Sequence, residues 1–143
     1  MIAIDTNLLV YAHREDSDWH ARAAATLDDR AESGQEWAIP WPCLHEFLAI
    51  VTHPRIFRTP TPLELAVGQV DAWLESPALV VLSENEHYAD SFREIVLSSR
   101  VTGPRIHDAR VAALCLSHGV REIWSADRDF SMFPQLKLRN PLV

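Results

Sequence analysis

The chain places acidic side chains where strand-like and helix-like segments begin or end. Asp5 follows the apolar run MIAI, and Asp127 and Asp129 follow the apolar run VREIW. Asp108 lies in the first turn of the helix-like segment HDARVAALCL. Glu46 lies among apolar neighbours in CLHEFLAIV, so we expect its carboxylate to be buried and to need a cationic partner.

Each acid also has a purely structural interpretation, which the residues alone leave open. Asp5 and Asp108 are placed to stabilise helix N-termini, and Asp127 and Asp129 to cap the turn DRDFSMF. A single metal site instead explains the acids together, because carboxylate oxygens and water are the ligands that Mg²⁺ and Mn²⁺ prefer. The chemistry natural to such a site is metal-assisted hydrolysis of a phosphodiester bond.

Other enzyme classes lack the residues that they require. A haloacid-dehalogenase-type phosphatase needs Asp-x-Asp after the first strand, but Asn7 stands where the second aspartate should be. A response-regulator receiver needs a lysine after its last strand, and the only lysine, Lys137, does not fit that place. The four glycines are not clustered, so there is no phosphate-binding loop, and there is no Gly-x-Ser-x-Gly elbow.

Composition predicts one domain spanning residues 1–143 in a reducing, cytoplasmic setting. The chain has 48% hydrophobic and 23% charged residues, which is ordinary for a globular protein. Cys43 and Cys115 are expected to be buried free thiols, and no segment is long and apolar enough to cross a membrane. A net charge of −7 argues against nucleic-acid binding by bulk electrostatics, but not against an enzyme that handles nucleic acid through metal ions.

Short apolar runs alternate with longer amphipathic segments, which predicts an α/β fold with a mainly parallel sheet. Strands are expected at residues 1–4, 36–40, 78–83 and 120–125, with a short edge strand after residue 136. Helices are expected at residues 7–13, 17–33, 42–53, 62–75, 84–99 and 107–118. Three helix starts are assigned to polar caps: Asp16 or Ser17, the capping box at 61–64 and the capping box at 83–86. Gly34 is expected just past the end of the second helix.

The expected sheet brings the distant acids together. In open parallel sheets, ligands bind beyond the carboxyl ends of the strands, at the point where the strand order reverses. If the first and fourth strands are neighbours, Asp5 and Asp127 meet at that crevice.

These residues resemble the PIN-domain family, in particular the VapC-type toxins of bacterial toxin–antitoxin pairs. The matching segments are IDTNLLVYA, HEFLAIVTHPRIF, HDARVAALCLSHGV and SADRDFSMFPQLKLRNP, which follow the family's order from one end of the chain to the other. The resemblance implies a three-layer α/β/α fold with a sheet of four or five strands. It also implies an endoribonuclease that depends on Mg²⁺ or Mn²⁺.

The resemblance assigns roles to individual residues. The family's catalytic acids correspond to Asp5, Glu46, Asp108 and Asp127, with Asp5, Asp108 and Asp127 as the metal ligands. Three residues correspond to supporting positions: Thr6, Ser125 and Asp129. Ser125 precedes the last acids, where a hydroxyl can hold a carboxylate in place.

The resemblance further implies an RNA substrate, a cognate VapB-type antitoxin with a basic tail, and a homodimer. Candidate RNA contacts, each of which is also explained by a surface ion pair, are Arg14, Arg55, Arg58, Arg105, Arg110 and Arg128. Candidate partner contacts, otherwise explained by ordinary packing, are Trp19, Trp41, Phe57 and Trp73. Two alternative functions remain open: an RNA-processing nuclease without an antitoxin, and a catalytically silent PIN-like module that binds RNA or protein.

Overall fold

The computed structural model describes all 143 residues and contains one five-stranded sheet in the order β3-β2-β1-β4-β5. The strands are β1 (Ile2–Ile4), β2 (Trp37–Pro40), β3 (Leu79–Leu82), β4 (Glu122–Trp124) and β5 (Lys137–Arg139). Every neighbouring pair runs parallel. The expected α/β fold is therefore confirmed, including the short fifth strand at the sheet edge.

Six helices connect the strands. They are α1 (Thr6–His13), α2 (His20–Glu32), α3 (Trp41–Val51), α4 (Leu63–Leu74), α5 (Tyr88–Ser99) and α6 (Arg105–Ser117), with a 3₁₀ turn at Asp129–Met132. From β1 the chain adds strands outward to β3, and it then crosses to the other side of β1 to form β4 and β5. Right-handed crossovers in opposite directions place helices on opposite faces of the sheet, which gives the expected three layers.

The sheet is buried on both faces. All four residues of β2 are buried, which is the pattern of a central parallel strand covered by helices on either side. Thirty buried apolar residues form a single cluster that takes contributions from helices and strands alike. Both cysteines are free and buried, as expected.

The start of α2 was predicted wrongly. We expected Asp16 or Ser17 as its N-cap, but α2 begins at His20, and its N-cap residue, Trp19, makes no capping hydrogen bond through its side chain. The Asp16 carboxylate is instead bound by Arg14, and the Ser17 hydroxyl accepts the Trp19 N–H within a preceding turn. The end of α2 was predicted correctly, since Gly34 has a φ of +75° just after the helix stops.

The two predicted capping boxes were also wrong. Helix α4 begins at Leu63 without a side-chain cap, because the Thr61 hydroxyl is engaged by His13 and Arg14. Helix α5 begins at Tyr88, four residues later than predicted.

The turn before α5 is closed by a different residue from the expected serine. The Asn85 side-chain oxygen accepts the His87 N–H, and the Asn85 amide donates to the Ser117 carbonyl.

Helix α6 begins at Arg105, two residues before its predicted start. None of the helices has the length and apolar character required to cross a membrane.

Candidate active site

The site lies where β1 and β4 end side by side. These strands pair in parallel with Ile4 opposite Trp124, so the residues that follow, Asp5 and Ser125, leave the sheet together. The Asp5 N–H donates to the Trp124 carbonyl at 3.0 Å, which extends the pairing by one residue. The strand order reverses between β1 and β4, and this is the position where open parallel sheets bind ligands.

Asp5 is held rigidly by its neighbours. One carboxylate oxygen, Oδ1, accepts the Thr6 N–H at 2.8 Å, and Oδ2 accepts the Ser125 hydroxyl at 2.7 Å. The Cys43 thiol lies 3.8 Å from Oδ1. Asp5 is therefore the N-cap of α1, as its structural interpretation held, and it is also a buried carboxylate at the candidate site.

Asn7 is a site residue that the sequence analysis missed. Its amide nitrogen donates to Asp127 Oδ2 at 2.9 Å and to Ser125 Oγ at 3.1 Å, and its amide oxygen accepts the Ala126 N–H at 3.1 Å. Asn7 thus ties the start of α1 to the segment after β4. The available signal was its position two residues after Asp5, but it was weighed only as a missing phosphatase aspartate.

The Asp127 carboxylate caps the turn that follows it, as its structural interpretation predicted. Its Oδ1 accepts the Asp129 N–H at 2.9 Å, which closes the first part of the 3₁₀ turn. The Asp127 side chain is exposed, and its Oδ2 is oriented by Asn7. As with Asp5, a local capping role and a place at the site belong to the same side chain.

The expectation that Glu46 is buried was wrong. Its residue is exposed, because it lies on the face of α3 that is turned away from buried residues such as Cys43 and Phe47. The buried side chains of α3 therefore lie on a different face of the helix, and Glu46 needs no buried cation. Its Oε2 accepts the Thr6 hydroxyl at 3.4 Å, which places it beside Asp5.

Asp108 lies on the first turn of α6 and is half-buried. Its carboxylate makes no hydrogen bond or ion pair within the chain. The nearby Arg105 guanidinium is 3.9 Å from Asp129 Oδ1 instead, at an exposed position. Asp108 is thus a partly desolvated carboxylate without a hydrogen-bonding partner.

A cavity of about 110 Å³ lies at the meeting point of these side chains. Its lining includes every predicted acid and one of the two supporting hydroxyl residues: Asp5, Thr6, Glu46, Asp108, Asp127 and Asp129. Ser125 lies behind the cavity wall, fully buried, where it bonds Asp5. The remaining lining residues are Asn7, Ile50, His107, Val111 and Phe130.

Burial and neighbouring negative charge raise the pKa values of two of these carboxyl groups, Asp5 and Asp108. Burial raises the pKa of Asp5 from 3.8 to about 7, and the charges of Asp127 and Glu46 add to the rise, against the hydrogen bonds from Ser125 and Thr6. Burial also raises the pKa of Asp108, with further increases from Asp129, Asp127 and Glu46, whereas Arg105 lowers it. The cavity therefore holds more carboxylates than nearby cations, since Arg105 alone offsets part of their charge.

The donor set suits a hard divalent cation, since it consists of carboxylate, amide and hydroxyl oxygens. No three of the chain's histidine, cysteine, aspartate and glutamate side chains are grouped closely enough to enclose a metal ion. Mg²⁺ commonly retains several waters and takes only one or two carboxylates directly, so the residues present fit such an ion.

The sequence matches a known protein family over most of its length. The family model for the PIN domain matches residues 2–135. The chain belongs to the PIN-domain family. Ribonuclease VapC43 of Mycobacterium tuberculosis is 36% identical over 142 residues, covering 99% of this chain and 96% of that protein.

Solved structures share the PIN fold at low sequence identity. VapBC2 from Rickettsia felis, bound to a DNA fragment from its promoter, has a TM-score of 0.72 and 19% identity, covering 98% of each chain. A toxin–antitoxin complex from Klebsiella pneumoniae has a TM-score of 0.62 and 14% identity, covering 99% of this chain and 98% of that one. These matches span the PIN domain from end to end.

The arginines that were candidate RNA contacts have different environments in this PIN domain. Arg14 is buried and bound to Asp16, Thr59 and Thr61, so it has a structural role. Arg105 forms the long ion pair with Asp129. Arg110 is half-buried and lines two further cavities, one of which adjoins the acidic cavity.

The aromatic candidates also divide into two groups. Trp19 and Trp41 are exposed, with 41% and 37% of their surface accessible. Phe57 packs beneath the Arg14 guanidinium, and Trp73 packs against Phe47 in the core. Only the first two are available to a partner.

Proposed function

We propose that the chain is a VapC-type toxin, formed by a single PIN domain over residues 1–143, that hydrolyses RNA phosphodiester bonds with the help of Mg²⁺ or Mn²⁺. The observation that carries this proposal is the acidic cavity, in which four acids from distant parts of the chain lie together and only Arg105 offsets part of their charge. The ribonuclease relative at 36% identity supports RNA as the substrate.

In this proposal Asp5, Asp108 and Asp127 hold the ion, directly or through water. A divalent cation supplies Lewis acidity toward the phosphate and offsets the repulsion between these carboxylates. Asp5 is the fixed point of the set, because both of its oxygens are already oriented by donors from Thr6 and Ser125. Its oxygens keep lone pairs for an ion, since each carboxylate oxygen accepts more than one bond.

The other residues position the reacting groups. Asn7 and Ser125 hold Asp127 and Asp5 in fixed relative orientation, and Thr6 orients Glu46. Glu46 is exposed and is oriented through Oε2, so the carboxylate can accept a proton from an attacking water. Asp129 adds negative charge beside Asp108 and supports the turn that carries Asp127.

The partners in this proposal are a cognate VapB-type antitoxin and a second copy of the chain. An antitoxin segment rich in arginine or lysine would fit the acidic cavity, because a guanidinium or ammonium group neutralises the same carboxylates as a metal ion. The toxin–antitoxin complex that shares this fold supports an antitoxin as the partner.

The test is cleavage of total bacterial RNA by the purified chain, with new RNA ends mapped by sequencing. We expect cleavage in Mg²⁺ that stops in EDTA and is lost in both Asp5→Asn and Asp127→Asn. The matched control is Asp28→Asn, which alters an exposed acid of α2 outside the cavity and should cleave normally. Cleavage that survives either EDTA or both site substitutions would rule the proposal out.

A further inference from the structure

Two helix faces form a groove that leads away from the acidic cavity. Its α3 side consists of residues spaced at i, i+3, i+4 and i+7, which lie on one helix face: Pro42, His45, Glu46 and Ala49. Its α6 side has the same spacing: His107, Arg110, Val111 and Leu114. We call this feature the α3–α6 groove.

The groove is a series of three cavities that share walls. The acidic cavity shares Glu46, His107 and Val111 with a middle cavity of about 310 Å³. The middle cavity shares Pro42 and Arg110 with a far cavity of about 280 Å³. From the acidic end outward, the cavities take earlier residues of α3 and later residues of α6, so the groove follows both helices continuously.

Arg110 is the one arginine that lines the groove. It is half-buried, and its guanidinium makes no hydrogen bond or ion pair within the chain. Arg14 differs in this respect, since its guanidinium is saturated by Asp16, Thr59 and Thr61. An arginine that is partly withdrawn from water and unpaired is well suited to bind a phosphate through two parallel N–H donors.

Trp41 provides a flat aromatic surface at the far end of the groove. Its ring stacks on the His45 ring, with centroids 5.8 Å apart and an interplanar angle of 25°. Trp41 keeps 37% of its surface accessible, and His45 is also exposed. A stacked pair with an accessible face can accept an unpaired nucleobase, because base stacking on aromatic side chains needs only a free π-face.

We propose, on the basis of the function proposed above, that the α3–α6 groove binds a single-stranded RNA segment that adjoins the scissile phosphodiester. Arg110 binds a backbone phosphate in the middle of the groove, and Trp41 stacks on an unpaired base at its far end. Duplex RNA does not fit this surface, because its bases are already stacked and paired.

The charge distribution along the groove agrees with this path. The scissile phosphate lies at the acidic cavity, where a divalent ion offsets the carboxylates, and the next cationic position along the groove is Arg110. Glu84 closes the far cavity and disfavours a phosphate there. The backbone is therefore held at Arg110, while the base rather than the phosphate occupies the end beside Trp41.

The first experiment measures RNA binding without cleavage. A fluorescein-labelled pool of random-sequence single-stranded RNA 12-mers is titrated with the full chain in EDTA, and the affinity is read by fluorescence anisotropy. Trp41→Ala should bind about tenfold more weakly, and Trp41→Phe should retain most of the affinity because it keeps a stacking ring. The control is Trp19→Ala, since Trp19 is equally exposed but lies outside the three cavities.

The salt dependence of the same titration tests Arg110. Arg110→Gln should reduce the slope of log affinity against log salt concentration by about 0.7, as expected for the loss of one phosphate contact on a single strand. Arg93→Gln, which changes an exposed arginine of α5 outside the groove, should leave the slope unchanged. Arg110→Lys should restore most of the slope but not all of the affinity, because a lysine binds phosphate with one point charge.

The second experiment separates this inference from the proposed function. Cleavage of total RNA is followed for the wild type and for Trp41→Ala, and the proposal expects a raised KM with a nearly unchanged kcat. If the wild type cleaves RNA while Trp41→Ala and Arg110→Gln bind and cleave as it does, the groove assignment is overturned and the ribonuclease function stands. Competition by an RNA duplex as strong as by the single strand would also overturn it, as would an effect of Trp41→Ala confined to antitoxin binding. A wild type that neither binds nor cleaves RNA would overturn both proposals.

Discussion

The two ends of helix α1 carry polar clusters of opposite character. At its start, Asp5 faces Asp127 and Glu46, and no cation of the chain pairs with these carboxylates. At its end, Arg14 is buried and binds Asp16 through two nitrogens, at 2.9 and 2.6 Å. We call these the acidic end and the arginine end of α1.

The arginine end is complete within the chain. The Arg14 guanidinium also donates to the Thr59 carbonyl at 2.8 Å and lies 4.0 Å from the centre of the Phe57 ring. Each nitrogen of the His13 ring meets a partner, Gln69 or Thr61, at 3.1 Å. The acidic end has good hydrogen bonds but unbalanced charge. Carboxylates that are hydrogen-bonded but lack a counter-charge are suited to bind a cationic ligand. A cluster whose charges are already paired within the chain stabilises the fold instead.

The largest expected contrast between the two ends is in how stability depends on pH. Asp5 has a pKa of about 7 in the folded chain against 3.8 as its ordinary value, so the folded state keeps a proton that the unfolded state has released. Stability therefore falls as pH rises through this window, by about 4 kcal/mol at about 1.4 kcal/mol per unit. Urea unfolding in EDTA across pH 4 to 8 measures this, with the loss taken as the difference between wild type and Asp5→Asn.

Asp16 at the arginine end provides the opposite sign. Arg14 lowers the pKa of Asp16, so its contribution to stability is present above the ordinary pKa and is lost as pH falls. Asp16→Asn should flatten the acid side of the stability curve and leave the slope above pH 4 intact.

Added Mg²⁺ should reduce the loss of stability near pH 7 in the wild type only, since a cation favours the ionised form of Asp5. If the free energy of unfolding has the same pH slope in the wild type and in Asp5→Asn, the raised pKa of Asp5 is contradicted.

Removing the guanidinium should test the arginine end as a purely structural cluster. Arg14→Ala should lower the free energy of unfolding by about 2 to 3 kcal/mol, because it removes several hydrogen bonds and the contact with Phe57. RNA cleavage per folded molecule should stay at the wild-type level. Arg22→Ala, at an exposed position of α2, is the control and should change stability by less than about 0.5 kcal/mol. A loss of cleavage larger than the loss of folded protein would show that the arginine end is more than structural.

Asn7 should show the reverse pattern at the acidic end. Asn7→Ala removes the donor that orients Asp127 and the acceptor of the Ala126 N–H, so we expect kcat for RNA cleavage to fall about 10- to 100-fold. The expected loss of stability is smaller, at about 1 kcal/mol, since Asn7 is only half-buried. Cleavage kinetics and urea unfolding of the same preparation measure the two effects. An Asn7→Ala variant with normal kcat would show that Asp127 needs no orientation by Asn7.

The sequence predicted the strands and helices well, because the spacing of apolar residues decides between them. The alternation of apolar runs and amphipathic segments predicted a sheet of four or five strands and six helices, because strand and helix patterns have different spacings. The sequence predicted that Asp5 and Asp127 would meet if the first and fourth strands are neighbours, and the pairing of β1 with β4 meets that condition. These inferences needed no knowledge of side-chain contacts.

Most of the errors arise because polar side chains bind partners that the local sequence pattern does not reveal. Thr61 looked like a helix cap, but His13 and Arg14 occupy its hydroxyl from a segment 47 to 48 residues earlier. The exposure of Glu46 was missed for another reason: its sequence neighbours are apolar, but a helix turns each side chain to its own face. Asn7 was missed because its partners, Ser125 and Asp127, lie 118 and 120 residues further on.

Thr61→Val should give the smallest effect, and it tests whether the arginine end is a network or a single residue. The substitution keeps the shape of the side chain and removes the hydroxyl, which lies 3.1 Å from the His13 ring and 3.3 Å from Arg14. Arg14 retains Asp16 and Thr59, and His13 retains Gln69, so the loss should be about 1 kcal/mol, with cleavage unchanged. In a double-mutant cycle by urea unfolding, Thr61→Val combined with Arg14→Ala should cost less than the sum of the single changes, because part of the hydroxyl's role is to bind Arg14. Strict additivity would mean that the hydroxyl serves His13 alone and that the arginine end consists of two independent contacts.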